Sequence, residues 1–412
     1  MMNSNNNLQE MKNNWEIVGT TKISIDGQTR NESVYRIPLD LLYYNNQNGR
    51  IGTWISKYEA ENGPISDLSL EEYNLKIEDF IIKSDKGKFK ETKDNIRDLS
   101  QMEPGVVLAD GRVIDGNRRF TCLRQLARET GNQKFNYFEA VILDKNTSEK
   151  TIKLMEVSLQ KGVLGKVDYN AIENLCDIYN TIIKYKIVNE QEYATAEAIS
   201  LAKVKKRVEL AQLMEDFLEY INAAEQFYIA RELEIDGPLN EVYNIKKRLE
   251  SDPDKWELAR VALYDNMLVK TNYQDSDDIT RTIREFGKKV IPNDNLFEEY
   301  SRTHEEISRE INNRVNKVEK ITPAYLRNEI REDEELNQKI SENIEDALYI
   351  AKKGEVKRLP IEKISDANLA IEKIDLTAVS KLRDEERNEF GRELEMLKES
   401  IKRIEERFNE FN

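Results

Sequence analysis

The spacing of apolar and polar positions changes character near residue 150. Between Trp15 and Asp144, short apolar runs are cut by turn-forming residues at Asp26-Gly27, Asn62-Gly63-Pro64, Asp110-Gly111 and Asp115-Gly116. Ile23 and Ile25 alternate before Asp26-Gly27, and Val34, Tyr35 and Ile37 follow it, so Lys22 to Leu39 predicts a β-hairpin. Gly105 to Ile114 predicts a second hairpin, and Phe138 to Leu143 a short, nearly continuous apolar strand. Helical spacing over Thr92 to Gln101 would bury Ile96 and Leu99, while Phe120, Leu123, Leu126 and Ala127 mark a further helix. The expectation is an α+β domain over 15–150, preceded by a disordered, Asn-rich tail over 1–14.

Beyond Thr151 helix-period stretches dominate and Gly and Pro become rare. Breaks are expected at Asp236-Gly237-Pro238, Asp252-Pro253, Ile291-Pro292, Thr322-Pro323, Gly354 and Leu359-Pro360. They suggest a helical region over 151–235, a helical domain over 236–380 and an amphipathic helix over 381–412. In that last segment Phe390, Leu394, Leu397, Ile401, Ile404, Phe408 and Phe411 alternate steps of four and three, with charges of both signs between them. This is a heptad pattern. It fits self-association into a homodimer, or a terminal helix laid on the protein's own core.

Composition narrows the chemistry. The chain has 412 residues, 39% of them hydrophobic, which is enough for a sizeable core. With 63 Lys plus Arg against 78 Asp plus Glu, the net charge of −15 argues against a surface that coats nucleic acid, though it allows a local basic patch. One histidine, His304, and two separated cysteines, Cys122 and Cys176, exclude most His/Cys metal sites and any Ser-His or Cys-His nucleophile that needs more than one imidazole. His304, in a charged stretch, reads as an exposed helical residue, and Cys122, on an apolar helix face, as a core thiol. There is no signal peptide, no membrane span and no disulfide framework, so a soluble cytoplasmic protein is expected.

The most informative run is Val107 to Leu126. A strand ends at Ile114, Asp115-Gly116 turns sharply, and a helix starts near Asn117 with Arg118 and Arg119 in its first turn. Cations are unfavourable at a helix N-terminus, by about several tenths of a kcal/mol each. Placing them there concentrates positive potential beside unpaired N–H groups, an arrangement suited to a phosphate. The competing explanation is that both arginines pair with acids on a solvated face.

This run resembles the arginine motif of the ParB/sulfiredoxin-like superfamily, in which such residues lie between a strand and a helix. Ile37 to Arg50 is similar to the family's opening strand and the element after it, with Asn45 and Arg50 at the matching ends. Met155 to Leu164 resembles its Glu-Asn-Leu-Gln-Arg box, with Val157 and Ser158 in place of the acid and amide of CTP-hydrolysing members. Asn117 stands where sulfiredoxins carry their cysteine, which disfavours that activity. The resemblance covers about residues 34–165. It implies a ParB/sulfiredoxin-like nucleotide-binding domain, with CTP or ATP held by Asp115, Gly116, Asn117, Arg118, Arg119, Asn45, Arg50 and Glu156. Glu156 would also help to hold Mg²⁺.

Residues 193–221 resemble the helix-turn-helix that follows the nucleotide domain in ParB proteins. Ala198, Ile199, Val204 and Val208 would form its core, and Lys203, Lys205, Lys206 and Arg207 would meet DNA phosphates. A plain helical hairpin with a solvated basic stripe fits equally well. The functional expectation is a nucleotide-binding protein acting on DNA, in partition or in phage defence and DNA modification. The alternatives are a ParB-fold enzyme, whether NTPase, nuclease or small-molecule kinase, and an anion-binding interaction module; no catalytic residue is assigned.

Overall fold

A computed structural model describes residues 7–25, 28–161, 170–268 and 279–410. The expected turn at Asp26-Gly27, the end of the Met155 to Leu164 box and Phe411 lie outside the described residues. The chain divides into two compact units, one ending at Leu348 and the other spanning Tyr349–Asn412, where the sequence suggested boundaries at 150, 235 and 380.

In the first unit a six-stranded mixed sheet precedes a mostly helical region, an α+β arrangement. The strands are β1 (Ile17–Ile25), β2 (Gln28–Pro38), β3 (Tyr43–Tyr44), β4 (Gly105–Val107), β5 (Arg112–Asp115) and β6 (Tyr137–Ile142), in the order β1-β2-β6-β4-β5-β3. Neighbours β1/β2, β2/β6 and β4/β5 run antiparallel, whereas β4/β6 and β3/β5 run parallel. Register follows the apolar pattern: Tyr35 faces Ala140 across β2/β6, and Val106 faces Val141 across β4/β6.

Successive residues of the inner strands serve opposite faces of the sheet, which is why they read as continuous apolar runs. Val107, Val113, Phe138 and Ala140 join a core beneath α3 (Leu70–Ser84), α4 (Lys86–Leu99) and α5 (Asn117–Thr130). Val106, Ile114 and Val141 join a second core with Ile152 and Met155 of α6 (Glu149–Lys161). Before α3 lies α2 (Gly52–Asn62). A Ser69/Glu72 capping box starts α3, and the Asp85 side chain caps α4.

Several local expectations change. Residues 7–14 are held rather than disordered. The turn α1 (Leu8–Met11) buries Leu8 completely, its N–H donates to Ala109 O at 2.8 Å, and the Gln9 amide donates to Ile142 O at 3.1 Å. The helix expected from Thr92 starts earlier, at Lys86, and its C-terminal Leu99 is 60% exposed while Ile96 is buried, because Leu99 falls on the outer side of the last turn.

The helical region opens with α7 (Ala171–Ile178), a π-helical turn at Tyr179–Lys184, α8 (Glu190–Glu197) and α9 (Leu201–Tyr220). It continues through α10 (Phe227–Glu232), α11 (Asp236–Arg248), α12 (Pro253–Leu268), α13 (Ile279–Lys289), α14 (Asp294–Val315) and α15 (Pro323–Leu326). Pro238, Pro253 and Pro323 sit in first turns, where the missing N–H costs nothing. The helix α16 (Glu334–Glu372) runs on through Gly354 and Pro360, so neither is a break; Gly354 has open space around it, and Pro360 removes a single hydrogen bond from a 39-residue ladder. After α16 come α17 (Leu376–Val379) and α18 (Asp384–Glu410).

Candidate functional site

The bend from β5 into α5 borders a cavity of the first unit. Gly116 caps α5 at φ +90°, a conformation that favours glycine, and an added Cβ would stand 2.8 Å from the Phe138 ring. No side chain caps the helix, and its first turn carries no acid, so the N–H groups there are met by neither usual device. Phe120, Leu123 and Leu126 anchor the helix beneath; the Phe120 ring lies 4.8 Å from Tyr44 and 5.7 Å from Phe138. Asn117, 6% exposed, contributes a buried amide whose Oδ1 has no protein partner, and the Arg119 Nε is likewise buried and unpartnered. Such groups require an account. Both residues stand in the wall of a cavity of about 550 Å³, the size of a small-ligand site.

The two arginines of the motif part company. Arg119 donates to Glu103 at 2.5 Å and to Asp115 at 2.9 Å, so its charge is largely met within the protein. Among the described residues Arg118 pairs with Asp85, at 3.6 Å, and is four-fifths buried. Burial and the charge of neighbouring Arg50 push the Arg118 guanidinium below its usual range, and Asp85 opposes them in part. The pair of like charges at the cavity is therefore Arg50 with Arg118, where the sequence had joined Arg118 with Arg119.

Arg50 is delivered by a tight turn. The Asn45 side chain accepts from Gln47 N at 3.1 Å, Asn48 accepts from Arg50 N at 3.1 Å, and Ile51 plugs the core at 0% exposure. Gly49 and Gly52 lie so close to α7 that an added Cβ would approach Asp177 and Cys176 at 3.0 Å. Asn45, 1% exposed, shapes this turn and does not line the cavity.

Glu156 also lies outside the cavity. At 3% exposure it accepts from Lys153 and from Gln160, each at 3.3 Å, and only Gln160 reaches the cavity wall. Lys153 is itself buried and donates to Asp177 at 2.6 Å. Glu156 thus meets an ammonium, and among the described residues no group of three metal-binding side chains occurs. The carboxylate expected to help hold Mg²⁺ is thus placed against Lys153 and Gln160, outside the cavity wall. Sequence reasoning missed Asp85, Glu103 and Gln160 as parts of the site. Only Gln160 had a signal, its place in the Met155 to Leu164 box; Asp85 and Glu103 read as ordinary surface acids.

Of the expected DNA-contacting residues, Lys203, Lys205 and Lys206 are exposed on the first two turns of α9. Lys206 lies 5.3 Å over the Tyr243 ring. Arg207 is withdrawn, donating to both carboxylate oxygens of Glu197 at 2.6 and 2.8 Å. Ala198 is exposed at φ +58° between α8 and α9, and Ile199 is half-buried, so of the four proposed core residues only Val204 and Val208 serve the core. The remainder of α9 buries Leu210, Ala211, Leu213, Met214, Phe217 and Leu218, which makes it a central packing helix.

The single histidine is not exposed. His304 is 3% exposed; its Nε2 lies 3.0 Å from Asp265, and Tyr300 and Asn343 flank its Nδ1 at 3.2 and 3.3 Å. Asp265 also accepts from Tyr220 at 2.6 Å. Cys122 is a fully buried thiol, raised to about 12 by burial, as a core role requires.

The fold and the cavity together define an α+β protein with a concave, arginine-lined cavity at a helix N-terminus. No family model matches the chain, and no curated protein is significantly similar to it. Among the described residues no helix is long and apolar enough to cross a membrane.

Proposed function

We propose that this chain binds a phosphate-bearing ligand at the N-terminus of α5, a nucleoside triphosphate such as CTP or ATP in keeping with its ParB/sulfiredoxin-like sequence pattern. The observation that carries the reading is the placing of Arg50 and the buried Arg118 in the wall of one cavity of about 550 Å³ at the uncapped N-terminus of α5. Both guanidinium groups line the cavity beside a helix start that no side chain caps, where an anion could join them. Phosphate oxygens would accept from both guanidinium forks and from the first N–H groups of α5. Arg119 would act on the wall instead, tying Asp115 to Glu103 and fixing the bend. Magnesium would enter with the triphosphate, held by its oxygens and water rather than by Glu156.

Titration calorimetry with CTP, ATP and GTP, each with Mg²⁺, tests the reading. Heat with one nucleotide that vanishes in Arg118→Met supports it; absence of heat with all three removes the nucleotide.

Action on DNA is the second half of the proposal. Lys203, Lys205 and Lys206 offer three exposed cations in four positions at the start of α9. If each meets a phosphate, neutralising all three should flatten the dependence of log affinity on log salt by about 0.9 per contact. Equal slopes for the wild type and the triple variant, or no DNA binding at low salt, would remove the DNA-binding role.

A further inference from the structure

Independently of the anion site, the second unit has a surface that calls for a partner. Between Lys352 and Glu410 no described side chain is buried, although the segment includes nearly all of a 27-residue helix with a heptad of large apolar residues. Along α18, Leu394 is 42% exposed, Ile401 44%, Ile404 53% and Phe408 65%, while Phe390 and Leu397 are half-buried. A helix with an apolar stripe gains most of its stability from packing that stripe, and this one lies open.

We propose that α18 pairs with α18 of a second copy of this chain in a parallel, in-register coiled coil. Taking Leu394, Ile401 and Phe408 as the a positions makes Phe390, Leu397 and Ile404 the d positions. The flanking g and e positions are then Glu393, Ser400 and Arg407, and Gly391, Lys398 and Glu405. In a parallel pair each g position faces the e position of the next heptad in the partner helix. Glu393 meets the partner copy's Lys398 twice by symmetry, Ser400 meets Glu405, and no like charges are opposed. An antiparallel pair centred on the helix instead sets Lys398 near its own copy. The charge pattern therefore selects both the occupant and its direction. Lys398 now donates to Glu395 at 2.7 Å within one helix, but both groups are more than half exposed, so the exchange costs little.

Light scattering and sedimentation of the full chain over a concentration series test the proposal. The expected mass approaches twice 48.2 kDa as concentration rises. Ile401→Asp should return the protein to a monomer with unchanged thermal unfolding of the first unit. Lys398→Glu should weaken association by roughly 5-fold, and Glu393→Lys with Lys398→Glu should restore it. Phe390→Cys, a d position near one end of the helix, should form an intermolecular disulfide on oxidation, with little competition from Cys122 and Cys176 at 0% and 1% exposure. A monomer at every concentration, or a dimer indifferent to Ile401→Asp, overturns the pairing. A dimer that Phe390→Cys fails to cross-link overturns the parallel register.

Discussion

Arg118→Met separates a ligand-binding arginine from a structural one. Methionine keeps most of the buried stem and removes the guanidinium. The folded protein then loses an ion pair to Asp85 at 3.6 Å, worth about 4 kcal/mol at this spacing before desolvation. It also sheds the burial of that charge and the repulsion from Arg50, which oppose the pair. The net change in stability is expected within about 1 kcal/mol of zero. Phosphate binding should suffer far more. Losing two charge-assisted hydrogen bonds at about 1.5 kcal/mol or more each removes about 3 kcal/mol, or roughly 100-fold in Kd. Arg119→Met should show the reverse balance. It strands Asp115, whose side chain is 14% exposed, and should lower stability by about 2 kcal/mol. The assay pairs calorimetric titration of the nucleotides and of inorganic triphosphate with thermal unfolding of both variants. The reasoning fails if Arg118→Met binds like the wild type, or if it loses more stability than Arg119→Met.

Three further outcomes follow from the geometry. Gly116→Ala should cost about 2 kcal/mol in chemical unfolding, since φ +90° strains any Cβ and the Phe138 ring blocks it at 2.8 Å; an unchanged midpoint would refute the strain. Glu173 accepts from Thr53 and Arg231, yet burial pushes its carboxyl up to about 7 from an ordinary 4.5, so the fold favours its protonated form. Its contribution, up to about 3 kcal/mol, is complete below pH 4.5 and lost as pH rises through about 7; Glu173→Gln should flatten stability across that window, and an unchanged pH profile would count against it. Removing the imidazole in His304→Ala should cost about 3 kcal/mol, because Asp265 at 0% exposure loses a hydrogen-bond partner and a cavity opens; urea denaturation measures it, and a loss below about 1 kcal/mol would show that the network tolerates the gap.

Features that depend on near neighbours were legible from the order of residues alone. Alternation around the Asp110-Gly111 turn, the apolar run of β6 and the Asp115-Gly116 bend into α5 are local, because strand pleat, turn dihedrals and helix period are set within a few residues. Gly116, Asn117, Arg118 and Arg50, the last of them separated from the others in sequence, line one cavity wall. Tertiary structure decided how charges and buried groups were shared. Nothing near Arg119 in sequence shows that Glu103 claims it, nor that Glu197 claims Arg207, since these contacts depend on separate elements folding together. The same reason hid His304: its neighbours in sequence are charged, but Asp265, Tyr300 and Asn343 close over the ring once α12, α14 and α16 pack together. That Glu156 meets Lys153 on a buried helix face is likewise visible only once the helix has packed. Electrostatic roles depend on distance through space, and in a chain with 78 acids the fold alone selects which of them meets each arginine.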